Sequence, residues 1–540
     1  MVFSNLLDFL SIALVVPIIA LLQKRNIEDN QFSKFFEYFN FQIDINSIIY
    51  LLIFLIFLKG ILTLIIIYLQ TNYSIKLNNY FRTNIFYNYI YNDFESSFNE
   101  NSSLTYRNMV TEVNEFMSGY IRPILNITSS LILFLFMTVL LFIVDYKTLI
   151  FILITLLTSY LLLKFFLSNR LKKLGFDRLE KDTEYFKLLG NTFEFIKDIK
   201  FFNIQQIYIK KLSKILHRQL YINRMRAVLN HSPRVFFEVV FVIIFSVFLL
   251  YNHENEKILI ILGVYAAATL RVFPAINSMS DAYQKIKFSE STFKVIGKNL
   301  KIHDTIKGSE KVDYKKNILI NNLNFKYKIN KEYTLRDISL SISGNDKIGI
   351  FGESGSGKST LLNLLLGFLE AENTNSIKSN DISIYENKNF WREKISYVPQ
   401  KVVILDQSLK SNIILSAPFK EFNESNYRNA VEMSGLTKVI NKLKNQDETF
   451  LGENGDKISM GEKQRVGIAR AIYRDSEIVI MDEMSNFLDE QNKKQIIKNI
   501  HDHFKNKIVI MVSHDMDILN YSDKIYELKN NKLNLFNKLN

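Results

Sequence analysis

The 540-residue chain has no cysteine and only six prolines. Without cysteine there is no disulfide framework, no thiolate nucleophile and no cysteine metal site. Pro17, Pro123, Pro233 and Pro274 each lie in or beside an apolar run, where kinks or boundaries are expected. Low-complexity tracts and solenoid repeats are also missing. The opening MVFSNLLDFLSIALVVPIIALLQ lacks the basic n-region and small-residue cleavage site of a secretory signal, so it reads as a retained apolar span. The formal net charge is +13, but the excess forms no basic arm or stripe on a nucleic-acid fold, and no nucleic acid is expected as partner.

What the chain has in quantity is apolar residues, 48% of the total with 44 Phe and 27 Tyr, concentrated before about residue 275. A bilayer is crossed by about 20 helical residues. Six stretches approach that length: Ser4 to Leu22, Ser47 to Leu69, Ile124 to Val144, Thr148 to Leu167, Val235 to Tyr251 and Ile258 to Ile276. Only Asp145, Tyr146 and Lys147 separate the third from the fourth, and Asn252 to Lys257 separate the fifth from the sixth, so both links are tight hairpins. The intervals after the second and fourth are much longer, about 54 and 66 residues, and show helical spacing. Between Ser168 and Pro233, 14 Lys and Arg face 6 Asp and Glu, the asymmetry of a cytoplasmic segment. With an even span count, both termini and both long loops then share the cytoplasm.

Beyond the sixth stretch, Ser278 to Asp304 reads as a mostly polar helix, and from about Asn317 strands alternate with helices. The expected fold class is an α-helical six-span membrane domain followed by an α/β phosphate-loop ATPase domain. Its expected parts are a membrane domain over 1–300, a linker over 301–316 and a nucleotide-binding cassette over 317–540.

The chemistry lies in the cassette. A buried strand, Lys347 to Phe351, leads into GESGSGKST (Gly352, Glu353, Ser354, Gly355, Ser356, Gly357, Lys358, Ser359, Thr360) and then into the apolar helix LLNLLLGFL. In that context the loop turns backbone N–H groups toward phosphate oxygens, Lys358 reaches the β- and γ-phosphates, and Ser359 offers a hydroxyl to Mg²⁺. A second apolar strand, EIVIM, ends in Asp482 and Glu483. Asp482 is placed to hold Mg²⁺ through water, and Glu483 to polarise the attacking water. His514 follows a third apolar strand in VIMVSHD and is placed for the γ-phosphate.

Together with Gln400 in YVPQ, ISMGEKQR at Ile458 to Arg465 and Asp489 in NFLD, these motifs resemble the ordered set of ATP-binding cassette proteins. The resemblance covers the cassette and implies ATP and Mg²⁺ as cofactors, with Glu483, His514 and Gln400 as catalytic residues. By it, Tyr327 stacks on adenine, while Gln400 touches the metal site and couples nucleotide state to the membrane domain. Ser459, Gly461 and Glu462 belong to the signature that closes over ATP bound to a partner subunit, and Asp489 crosses that interface. Two departures stand out: Met460 and Glu462 replace the usual glycine and glutamine, and MSNFLD follows Glu483 in place of proline-threonine-serine-alanine-leucine-aspartate.

Membrane domain first and cassette second resembles the exporters in which two such chains dimerise, so a homodimer is the expected assembly. Contact with the cassettes is expected around Asn92 to Phe98 and Asn191 to Asn203. Five segments of the membrane half, LLDFLSIALVVPIIALL, NSSLTYRNMVTEVNEF, FIKDIKFFN, PRVFFE and AAATLRVFPAIN, look similar to bacterial flippases of lipid-linked oligosaccharides and polysaccharide precursors. That resemblance implies a multi-pass protein of the bacterial cytoplasmic membrane, cassette in the cytoplasm, with membrane lipid around it and a lipid-linked glycan as substrate.

Carrying a diphosphate through hydrocarbon calls for cations in a wet cavity. Lys59 sits about 12 residues, roughly 18 Å, into the second span, where a lysine is expected to face a cavity or an ion-pair partner, and Arg271 lies toward the cytoplasmic end of the sixth. For Arg271 and Lys164, snorkelling to the interface is an equal alternative. An exporter of another lipid, a peptide or a drug, and an ATP-gated membrane regulator without cargo, are the competing readings.

Overall fold

The computed structural model describes residues 2–14, 18, 45–92, 94–95, 102–144, 146–252, 258–300, 312–328, 332–415, 421–484 and 490–536. The chain divides into two compact units, Met1–Asn92 with Ser96–His303, and Asp93–Glu95 with Asp304–Asn540.

The first unit is helical. Its main elements are Val2–Ala13, Ile45–Tyr91, a helical run from Ser102 to Val144, Tyr146–Glu194, Gln205–Asn252, Ile258–Phe288 and Glu290–Asn299. The second to sixth apolar stretches each lie wholly within one of these helices. Of the first, helix Val2–Ala13 is described and most of the remainder is not. By length and composition alone, Asn46–Tyr91 and Ser102–Phe142 are the two among the described residues able to cross a membrane. Ile53, Phe54, Phe57, Leu64 and Tyr68 are all exposed on helix Ile45–Tyr91, a distribution that fits hydrocarbon as solvent and would aggregate in water.

The long intervals prove to be continuations of the apolar helices. Ile45–Tyr91, Tyr146–Glu194 and Gln205–Asn252 have 47, 49 and 48 residues, each about 70 Å long at 1.5 Å per residue. Pro233 and Pro274 lie inside helices. In the polar portion, the run from Ser102 widens into two π-turns, Asn108–Glu112 and Met117–Ile121. Such turns add a residue to a helical turn and re-aim the side chains on it. Here Glu112, fully buried, receives Arg178 Nη2 at 2.8 Å and Nη1 at 3.2 Å, and accepts a hydrogen bond from Thr292 Oγ1 at 2.8 Å. Arg178 also reaches Asp182 at 3.0 Å, and Glu115 accepts from Arg226 and from Ser289 Oγ. These paired charges tie the run from Ser102 to Tyr146–Glu194, Gln205–Asn252 and Glu290–Asn299.

The second unit is built on two sheets. A six-stranded sheet has the order β10-β9-β3-β8-β7-β6, where β3 is Lys347–Phe351, β6 Ile395–Val398, β7 Ile478–Asp482, β8 Ile508–Val512, β9 Lys524–Lys529 and β10 Lys532–Phe536. Strands β9, β3, β8, β7 and β6 run parallel; β10 pairs antiparallel at the edge. Residues of β7 and β8 are buried throughout, as expected of parallel strands covered on both faces. A four-stranded antiparallel sheet, order β2-β1-β4-β5, comprises Asn317–Phe325 (β1), Leu335–Ser343 (β2), Ile377–Ser379 (β4) and Ile382–Ser383 (β5).

Candidate nucleotide site

Neighbouring parallel strands end on the same edge of a sheet, and ligands of open α/β sheets bind outside those carboxyl ends. The phosphate loop follows β3, Ser513 and His514 follow β8, Asp482 ends β7, and Gln400 lies just beyond β6. Register places Asp482 beside Val512 and Val512 beside Ile350. One sheet edge therefore collects every strand-end residue that the motifs singled out.

Helix Lys358–Leu365 starts at the loop, with Gly357 before it at φ +105°, a conformation that side chains with a Cβ rarely adopt. At Gly352 the constraint is space, since a Cβ there would stand 2.4 Å from the Leu528 carbonyl oxygen. Lys358 Nζ lies across the loop and donates to the carbonyls of Gly352 at 2.7 Å and Glu353 at 2.8 Å. Burial lowers its proton affinity, and the charges of Glu483 and Asp482 oppose that shift. Ser356 Oγ is buried with no partner among the described residues. A narrow loop with an unsatisfied hydroxyl and a folded-back ammonium suits a polyphosphate.

Glu483 is the centre of the acidic side. Its backbone is left-handed, φ +45°, and its N–H donates to Val512 O at 2.8 Å. Such a conformation costs on the order of 1–3 kcal/mol in a residue with a side chain, and it turns the carboxylate off the end of β7. Gln400 Nε2 donates to Oε2 at 2.7 Å, and His514 Nε2 lies 3.2 Å from Oε1. Held at both oxygens, the carboxylate is fixed to accept a proton from a water beside it. Asp482 is nine-tenths buried and its carboxyl is pushed up to about 6, first by burial and then by Glu483, with Lys358 pulling the other way. Ser359, exposed at the helix start, and Asp482 fit a divalent cation, which when bound would neutralise phosphate charge.

The Asp482 carboxyl is raised in the folded chain, so its contribution to stability is fully present below pH 4 and is lost as pH rises through about 6. An Asp482→Asn variant should therefore gain on the parent in thermal unfolding as pH goes from about 4 to 7. A difference that does not vary over that window would refute the assignment.

Tyr327 packs edge-on against Phe325, ring centres 5.1 Å apart, and its hydroxyl lies 3.0 Å from Thr360 Oγ1. Its hydroxyl thus lies against the helix that follows the loop. The signature residues form a helix cap within the chain. Ser459 caps helix Met460–Arg474, its Oγ accepting from the Glu462 N–H at 3.3 Å while Glu462 Oε2 accepts from the Ser459 N–H at 2.8 Å. Glu462, expected at the nucleotide, has its carboxylate engaged in this reciprocal cap, because a helix start leaves backbone donors that a Glu at the third position satisfies. Glu462→Gln should leave cassette stability unchanged, whereas Glu462→Ala should cost about 1 kcal/mol in chemical denaturation. Met460 is exposed at the first helical position, and Gly461 is partly buried next to it. Asp489 lies outside the described residues, as does the side chain of Arg271.

Sequence reasoning missed a cavity of about 230 Å³ whose walls include Leu366, Phe368, Arg392, Tyr397 and Arg470. Phe94, which groups with the second unit, stacks on Phe368 at 4.9 Å, and Arg392 covers the same ring at 5.1 Å. Phe368 and Arg392 carry no motif; the one signal was the contact expected around Asn92 to Phe98, the segment that holds Phe94.

Residues 335–486 match the ABC transporter family. The second unit is an ABC transporter cassette. Over its full length the chain is similar to a bacterial Atm1-family ABC exporter with ATP bound, with a TM-score of 0.81 over 98% of this chain and 93% of that one. At 16% identity this likeness concerns the fold: that of an ABC exporter, with a helical domain fused to the ATPase domain. The ATP-dependent lipid A-core flippase of Pseudoalteromonas translucida is 31% identical over 256 residues, 47% of this chain and 43% of the flippase. The toxin RTX-I translocation ATP-binding protein of Actinobacillus pleuropneumoniae is 32% identical over 222 residues, 41% of this chain and 31% of its own length. The matches span less than half the length of these relatives.

Proposed function

We propose that the ABC exporter fold of this chain works as half of an ATP-driven transporter in a bacterial cytoplasmic membrane. Its six apolar stretches span the bilayer and its cassette stands in the cytoplasm. The observation that carries the ATPase part is the convergence of Gln400 and His514 on Glu483 at the sheet edge that also bears the phosphate loop. A carboxylate so held, next to Lys358 and Asp482, has the geometry of water activation beside a polyphosphate.

Ser459 and Gly461 would complete the site of a second copy, which makes the homodimer the working unit; Asp489 would lie at the same interface. Lys358, Ser359 and Asp482 hold ATP and Mg²⁺, and Tyr327 carries the adenine. Gln400 would couple nucleotide state to the membrane domain, and the segment Asn92 to Phe98 would be one of the contacts, its Phe94 stacking on Phe368.

For cargo we propose a lipid-linked oligosaccharide or polysaccharide precursor, moved between leaflets. Support comes from the segment likeness in the membrane half and from a relative named as a lipid A-core flippase, together with charge at membrane depth at Lys59. The experiment is a flipping assay in proteoliposomes with a labelled polyprenyl-diphosphate oligosaccharide. ATP-dependent transfer that disappears in Lys358→Ala is expected; ATP hydrolysis without transfer of that lipid would remove the glycolipid reading.

A further inference from the structure

Asp8 and Lys59, 51 residues apart in sequence, form an ion pair between helices Val2–Ala13 and Ile45–Tyr91. The Asp8 side chain is 5% exposed and that of Lys59 is 19% exposed. The pair borders a cavity of about 270 Å³, to which Asn5, Ser129, Ser130 and Ser278 add polar groups from three helices. Asn5 Nδ2 donates to the Ser129 carbonyl at 2.8 Å, which fixes one wall.

Two charges and two hydroxyls within the spans are costly without a use or a wet space to face. With the N-terminus in the cytoplasm, Asp8 and Ser129 lie only about 6–8 Å inside their spans, and Ser278 lies just past the cytoplasmic end of its own. Lys59, about 15 Å from the cytoplasmic end of its span, reaches toward them. The cavity therefore belongs to the inner-leaflet half, where a cargo assembled in the cytoplasm would be taken up.

With Asp8 on Lys59 the cavity is formally neutral. With Asp8 turned away it offers an ammonium, hydroxyl donors and an amide, the donor set that suits a phosphate. We propose that Asp8 is an internal stand-in for the diphosphate of a lipid cargo, holding Lys59 until that anion replaces it. This rests on the glycolipid reading above and adds the contact through which the anion is exchanged.

The test is equilibrium binding of labelled farnesyl diphosphate to the full chain in detergent. Asp8→Asn removes the competitor; if Asp8 holds Lys59 about nine-tenths of the time, affinity should rise roughly tenfold. Lys59→Met should abolish binding and Lys59→Arg retain it. Because Lys59→Met leaves Asp8 buried and unpaired, Asp8→Asn/Lys59→Met, which removes both charges together, is the folding control and should also fail to bind. No binding by the parent, or unchanged affinity in Asp8→Asn, overturns the proposal. Inorganic pyrophosphate competing as well as the farnesyl compound would overturn its lipid part. Failure of the cargo reading looks different: the diphosphate binds at Lys59, yet labelled oligosaccharide is not flipped. Conversely, normal flipping by Asp8→Asn and Lys59→Met would sink the site and leave the cargo reading standing.

Discussion

Glu483→Gln should lower steady-state ATP hydrolysis in lipid by roughly two to four powers of ten, the usual worth of a positioned general base, with ATP binding retained. The amide is isosteric, so the hydrogen bond from Gln400 and the turn off β7 need not change, while the proton acceptor disappears. The measurement is single-site ATP affinity and phosphate release on the same preparation. Equal hydrolysis in variant and parent would mean that another group takes the proton, and His514, 3.2 Å away, would be the next candidate. His514→Ala should be milder than Glu483→Gln, because on this geometry the histidine positions the carboxylate.

Arg178→Met should destabilise the first unit by about 3–5 kcal/mol, the cost of leaving a buried charge without its partner. Glu112 is wholly buried, and its two oxygens receive both terminal nitrogens of Arg178. Alone, the methionine strands Glu112 and Asp182; with Glu112→Gln added, most of the loss should return, since removing a buried pair together is far cheaper than removing half. Thermal unfolding of the detergent-solubilised full chain reads both. A double variant no better than the single would show that Arg178 acts mainly through Asp182, its other acid at 3.0 Å.

How much of this was legible beforehand depended on sequence distance. Phosphate loop and strand-end acids could be read because each is a short local pattern, a buried strand followed by a turn whose chemistry is written in adjacent residues. Parallel topology then makes their convergence almost unavoidable, since parallel strands deliver their carboxyl ends to one edge. The long helices were legible too, through runs of apolar residues at helical spacing. Three features were not. The π-turns at Asn108–Glu112 and Met117–Ile121 have no composition of their own, and Glu112, at the end of the first, pairs with Arg178, 66 residues away. Glu462 could be read in the signature, but only the helix-start geometry shows that its carboxylate also caps the helix. Lys59 could be recognised as a charge at depth, but not that Asp8 already neutralises it.

By itself, then, the sequence determined the apolar character of the first half, the ATPase domain of the second and the positions of Lys358, Asp482 and Glu483 at or just beyond the ends of buried strands, because hydropathy and short motifs act within a few residues. Tertiary structure decided which charges are free to act. Whether Lys59, Glu462 or Glu112 meets a ligand or a neighbour depends on helices and turns brought together across long stretches of chain, and no local pattern records that pairing.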